Sequence, residues 1–159
     1  METVYIETTV VSYLVSHPSQ DVIVAAHQKL TREWWQRRRP LFACVISDVV
    51  LDEAGDGDAE QASLRLKALE GIPKLAATAE GERLAAAFLA DALPAKAVGD
   101  AAHLAIATVG KVKYVLTWNC AHLANAQLLD RLEPIAAKAG FKLPRVCTPE
   151  ELMGVSAYE

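Results

Sequence analysis

Cysteine is scarce in this chain. The three residues among 159, Cys44, Cys120 and Cys147, are odd in number, far apart and without a C-x-x-C pair. That excludes a disulfide framework and a thiolate zinc site, and it points to a reducing compartment. Cationic excess is also missing. Lys plus Arg total 16 against 20 Asp plus Glu, a net charge of −4. A general nucleic-acid coat is excluded, because sequence-independent binding rests on neutralising phosphates. No apolar run reaches the length of a membrane span. The first residues carry Glu2 and Glu7 and no Lys or Arg through Leu14, unlike a secretory signal. A cytoplasmic protein with no membrane contact is expected.

Apolar residues make up 52% of the chain and charged residues 23%, which excludes an intrinsically disordered chain. No repeat, low-complexity tract or linker interrupts residues 1–159, so one domain is expected. Short apolar segments alternate with helical spacing along its length. Val4–Ile6, Leu41–Ile46, Tyr114–Thr117 and Arg145–Cys147 read as strands, with Lys74–Thr78 a weaker fifth. Helices are expected over Val22–Arg39, from a cap at Ser47 to Glu53 or Ala54, and over Ala59–Glu70, Glu80–Ala92 and Asp100–Val109. Another should cover Asn119–Ala139, split or kinked at Pro134, and a last one should start at Thr148-Pro149. Strands separated by helices predict a three-layer α/β/α sandwich with a mostly parallel sheet.

In open parallel sheets, reactive groups gather beyond the carboxyl ends of the strands. Glu7 follows the first strand and Asn119 follows Tyr114–Thr117. Taken singly, each reads as a turn or cap residue. Glu53 shares a helix face with Val49 and Val50, which turns it toward the core, whereas Asp48 and Asp52 lie on another face. Asp100 opens a helix that is apolar nearly all round, hence buried. A buried carboxylate costs several kcal/mol, on the order of the effective penalty for any buried ion, unless something pairs with it. No Arg or Lys neighbours Asp100 in sequence. A divalent cation would pair Glu7, Glu53 and Asp100 together, and oxygen-only ligands select Mg²⁺ or Mn²⁺.

Four segments, Tyr5-Ile6-Glu7-Thr8-Thr9, Ser47 to Glu53, Gly99-Asp100-Ala101-Ala102-His103 and Leu116-Thr117-Trp118-Asn119, resemble in order and spacing the successive motifs of PIN domains. The resemblance is closest to the VapC-type toxins of bacterial toxin–antitoxin pairs and spans almost the whole chain. It implies an α/β/α fold, a Mg²⁺- or Mn²⁺-dependent ribonuclease, a homodimer, and an antitoxin that blocks the active site. Glu7, Glu53 and Asp100 fall on the family's acidic positions and would be the metal ligands. Asn119 falls on the fourth catalytic position, where many members have Asp. Thr9 and Thr117 match hydroxyl residues beside the first and fourth positions.

Two departures from the family pattern carry consequences. Glu7 stands where Asp is usual, one methylene further from its strand. Asn119 removes a charge, so three carboxylates (−3) face the +4 of two divalent ions. One metal is therefore expected in the free protein, with a second arriving alongside substrate phosphate. Asn119 would hold a metal-bound water or orient Asp100. The implied reaction is metal-assisted phosphodiester hydrolysis, in which Glu53 binds metal or helps deprotonate the nucleophile. His103 lies one turn after Asp100 and reads as a buried histidine held by one hydrogen bond, supporting the site from behind. His122 has the same spacing from Asn119 and reads as structural or supporting, and Cys120 as packing.

Arg37, Arg38 and Arg39, beside Trp34 and Trp35, mix cations with flat rings as an RNA-binding surface does. A helix C-terminus favoured by cations, with the tryptophans in the core or at a dimer contact, explains the same residues. Two other readings of the whole chain compete with the nuclease. One is a non-catalytic RNA- or protein-binding module whose metal site is degraded at Asn119. The other is a Mg²⁺-dependent phosphotransferase or phosphatase, weakened by the lack of a Gly-rich phosphate loop.

Overall fold

The computed structural model describes residues 1–158. Its sheet has four parallel strands, β1 (Thr3–Ile6), β2 (Ala43–Val45), β3 (Tyr114–Leu116) and β4 (Arg145–Cys147), in the order β2-β1-β3-β4. Seven α-helices are present among the described residues: α1 (Thr8–Val15), α2 (Val22–Glu33), α3 (Asp48–Ala54), α4 (Ala59–Leu69), α5 (Ala79–Asp91), α6 (Val98–Val109) and α7 (Ala126–Lys138). α1 packs against α2, α3 and α4, and α5 packs against α6 and α7. The expected three-layer α/β/α sandwich is the fold. No helix among the described residues is long and apolar enough to cross a membrane.

The strands form where apolar and β-branched residues run without a break, as buried parallel strands require. Val4, Tyr5, Ile6, Val115 and Leu116 are completely buried. Helix starts follow capping chemistry: Asp21, Asp58, Thr78 and Asn125 each accept a backbone N–H from the first turn of α2, α4, α5 and α7. α6 buries almost every residue from Ala101 to Thr108, in keeping with its all-round apolar sequence.

Five expectations need correction. Lys74–Thr78 is not a strand: only Lys74 bridges, to Ile46, because Pro73 interrupts the ladder and the segment beyond is largely exposed. Residues 119–125 are turns rather than helix, and α7 starts at its own cap Asn125 and runs through Pro134 unsplit. The last turn of α2 widens into a π-helical turn, Trp34–Arg38, before a 3₁₀ turn at Arg39–Leu41. Thr148 and Glu151 do form their reciprocal cap, with Thr148 N–H donating to Glu151 Oε1 at 3.0 Å, yet turns and a short 3₁₀ helix at Val155–Ala157 follow it in place of an α-helix. Cys120 is exposed rather than packed.

Chain order and sheet order together fix where a ligand belongs. From β1 the chain passes to β2 on one side, and β3 and β4 are added on the other. Neighbours β1 and β3 thus feed connections in opposite directions. A crevice at the carboxyl ends of such a pair is where open α/β sheets bind their ligands.

Candidate active site at the β1–β3 switch point

Glu7 is the first residue beyond β1, and its N–H donates to the Leu116 carbonyl at the end of β3 (3.0 Å). Its side chain folds back to cap α1, Oε2 accepting the Thr9 N–H at 2.5 Å. Thr9 in turn ties the two strand exits together. Its hydroxyl accepts the Trp118 N–H at 2.9 Å and lies 3.4 Å from the Thr117 hydroxyl, which accepts the Asn119 N–H at 2.9 Å. Both threonines expected beside the acids hold the loop after β3 in place.

Asn119 does two jobs at once. Its Oδ1 accepts the N–H groups of Ala121 (3.2 Å) and His122 (3.0 Å), so its amide NH₂ is forced toward Asp100, donating to Oδ1 at 3.0 Å. His122 Nδ1 meets the other Asp100 oxygen at 3.0 Å. The carboxylate in the first turn of α6 therefore finds its partners across space, and it is partly rather than fully buried. Of the two roles expected of Asn119, orienting Asp100 is the one its hydrogen bonds perform.

Glu53 departs from expectation more sharply. Rather than being core-facing, its side chain is 41% exposed and leans across the mouth of the crevice. Oε1 receives the Thr8 hydroxyl at 2.6 Å and meets His103 Nε2 at 2.5 Å. Oε2 lies against Gly99, where a Cβ would come within 3.0 Å of it. His103 is buried and held by two bonds, not one, since its Nδ1 meets the Tyr5 hydroxyl at 2.7 Å. Tyr5 continues to Ser47 Oγ at 2.6 Å, which explains why Ser47 precedes α3 without capping it through its side chain. An ionised Glu53 only accepts, so His103 Nε2 donates to it, while the hydrogen shared by Nδ1 and the Tyr5 hydroxyl can lie on either atom. The chain Ser47–Tyr5–His103–Glu53 thus runs from the core to the crevice.

These environments push the two glutamates apart. Burial raises Glu7 above the ordinary carboxyl range, with the nearby Glu53 charge adding to it, while His103 and the Thr9 groups only partly offset the effect. Partial burial acts the same way on Glu53, but the bond and charge of His103, helped by Thr8, outweigh it and lower its pKa. Titratable pairs driven in opposite directions mark functional sites. Among the described residues no three Asp, Glu, His or Cys side chains stand ready as a metal cage. Glu7, Glu53 and Asp100 nevertheless belong to one neighbourhood, Glu53 touching Thr8 and Gly99, the residues next to Glu7 and Asp100, and they offer only hard oxygen donors. The poorly compensated Glu7 carboxylate and the outward Glu53 Oε2 suit a divalent cation.

Tyr5, Ser47 and Thr8 stood in the quoted segments, Ser47 as a helix cap, but none was given a role in the site. For Tyr5 a signal exists: a phenol in the middle of a fully buried strand must find a partner for its hydroxyl. Replacing Tyr5 by Phe leaves His103 Nδ1 and Ser47 Oγ without their buried partner. It is expected to cost about 1–3 kcal/mol, read as a lower urea midpoint with unchanged m.

The Arg37–Arg39 stretch is elsewhere. It precedes β2, at the amino end of a strand whose register starts level with β1 (Thr3 opposite Ala43), so it lies at the opposite end of the sheet from the acids. Arg39 stacks on Trp35 with its guanidinium 4.7 Å from the ring centre, Arg38 sits over Phe42, and Trp34 is completely buried. Only Arg37 is free enough to meet a phosphate, and it already approaches Glu33 at 3.8 Å. Arg37→Gln is expected to leave the salt dependence of RNA binding unchanged; a flatter slope would restore this stretch to the RNA surface.

Two other features carry no chemistry of this kind. One groove, about 820 Å³, lies between α7 and the start of β3 and β4, lined by residues such as Lys113, Tyr114, Asp130 and Arg145, away from Glu7, Glu53 and Asp100. Burial pushes the thiols of Cys44 and Cys147 up to about 11 and about 12, so neither is a nucleophile at neutral pH. Against known proteins, the chain matches no family model and no curated sequence.

Proposed function

We propose that this chain is a Mg²⁺- or Mn²⁺-dependent endoribonuclease of PIN-like, VapC-type character, the toxin of a toxin–antitoxin pair. One observation carries the reading. Glu7, Glu53, Asp100 and Asn119, far apart in sequence, are drawn together beyond the carboxyl ends of β1 and β3 by bonds through Thr8, Thr9 and Thr117.

Glu7, Asp100 and Glu53 would hold the cation. When bound, it supplies Lewis-acid stabilisation of charge on the phosphate and a water of lowered pKa. The remaining work belongs to the chain. Asn119 and His122 grip both Asp100 oxygens and fix its orientation. Thr8 and His103 occupy Glu53 Oε1, which leaves Oε2 as the oxygen that would meet the cation, directly or through its water. Thr9 and Thr117 keep the strand exits at a fixed separation, so the carboxylates are presented preorganised. A homodimer and an antitoxin belong to the same proposal; exposed Val22, Ile23, Leu64 and Leu66 are apolar surface such partners would cover.

A second reading, a non-catalytic RNA- or protein-binding module, is favoured by one fact: the Asn119 oxygen is already committed to backbone N–H groups. Digestion of host RNA with Mg²⁺ or Mn²⁺ and with chelator, followed by mapping of new 5′ ends, separates the two. Discrete metal-dependent cuts are expected. RNA binding without cuts, from folded and antitoxin-free protein, would favour the module.

A further inference from the structure

Beside the crevice is a stack of rings that the proposed chemistry does not use. Trp118 immediately precedes Asn119, and its ring lies flat against His27 of α2, centres 4.0 Å apart and planes within 11°. Tyr13 of α1 is 6.3 Å from His27 and 6.2 Å from Trp118. Being equidistant from both, Tyr13 stands beside the pair and does not cover the outer face of His27. The pair is held rigidly. Trp118 Nε1 donates to the Thr31 hydroxyl at 2.7 Å, and that hydroxyl donates to the His27 carbonyl at 2.6 Å. Trp118 is buried, whereas His27 and Tyr13 are half-buried. The His27 ring nitrogens have no hydrogen-bond partner among the described residues.

A purely structural cover for Trp118 would be apolar. Here a flat ring with two open polar edges sits on a fixed indole. Tyr13 stands one helical turn, about 5.4 Å, beyond Thr9, whose hydroxyl holds the Trp118 backbone. From this geometry we propose that the outer face of His27, backed by Trp118 and flanked by Tyr13, is a stacking site for one base of single-stranded RNA next to the scissile phosphate. The inference rests on the nuclease reading and adds how the substrate is seated. Base–aromatic stacking is tolerant of base identity, so the platform grips any base while the acids act on its neighbouring phosphate.

The test uses a fluorescent hexamer of 2′-O-methyl uridine, kept intact by chelating the metal that the proposed hydrolysis needs, and an abasic hexamer with the same phosphates. Anisotropy is read in EDTA at fixed salt. Wild-type protein should bind the uridine probe roughly tenfold more tightly than the abasic one, the loss expected for one stacked base. His27→Ala should remove most of that difference, and His27→Phe should keep it. A merely structural His27 moves both probes together and leaves the base-dependent difference intact, which overturns the platform. Wild-type protein that does not distinguish the probes overturns it too. Cleavage of unmodified RNA in Mn²⁺, run in parallel, shows whether the nuclease reading fails with it or survives alone.

Discussion

Asp100→Asn is expected to lower metal-dependent RNA cleavage by at least about 10²–10³-fold, the loss typical when one preorganised charge-stabilising group is removed. The fold should be untouched. An amide of the same shape still accepts from Asn119 Nδ2 and still faces His122 Nδ1, so both contacts of Asp100 have a counterpart. Only the charge goes. The check is kcat on a mapped RNA site beside an unchanged thermal midpoint. Cleavage within a few-fold of wild type would mean that Asp100 is a structural first-turn residue, placed favourably by the α6 dipole and nothing more.

Glu7 makes the second large prediction, and it concerns stability. A carboxyl whose folded pKa is raised holds its proton more tightly in the folded than in the unfolded state. The stability from that proton is full below the ordinary carboxyl value and is lost as pH rises through the raised folded value. At neutral pH, above the ordinary carboxyl range, the metal-free protein has therefore given up part of that stability. Mn²⁺ at about 100 times its Kd should restore about 2.7 kcal/mol. For a domain of this size, that is a rise in Tm of roughly 5–10 °C. Glu7→Gln should start about 1 kcal/mol more stable at neutral pH, in the range of commonly stabilising changes, and should respond little to Mn²⁺. Scanning calorimetry across pH, with and without the ion, decides it. A wild-type Tm indifferent to Mn²⁺, or a Gln variant less stable than wild type, would remove Glu7 from the metal site.

The layered architecture and its parallel strands were legible because apolar runs such as Val4–Ile6 and Tyr114–Leu116 are short, unbroken and separated by capped helices. The four candidate residues were picked out through motif order, and the structure puts Glu7 and Asn119 just beyond β1 and β3, Glu53 in the last turn of α3 and Asp100 in the first turn of α6. What the sequence hid is contact between distant residues. Nothing local tells that Ser47 turns to Tyr5 instead of capping α3, or that His103 reaches Glu53. Helical spacing turned Glu53 inward, whereas a buried histidine and Thr8 hold it at the mouth. For the arginine stretch, composition left two readings open because it carries no information about which end of the sheet a segment occupies.

Gly99 shows how the site constrains its own scaffold. Alanine in the first turn of α6 would improve helix propensity by about 1 kcal/mol, the kind of change a search for robustness selects first. The added methyl would arrive within 3.0 Å of Glu53 Oε2 and push that oxygen aside. At position 99, thermal hardiness and carboxylate placement compete for the volume of one methyl group. A lineage or a redesign that chooses the methyl would shift the Glu53 carboxylate with no charged residue altered to reveal the change.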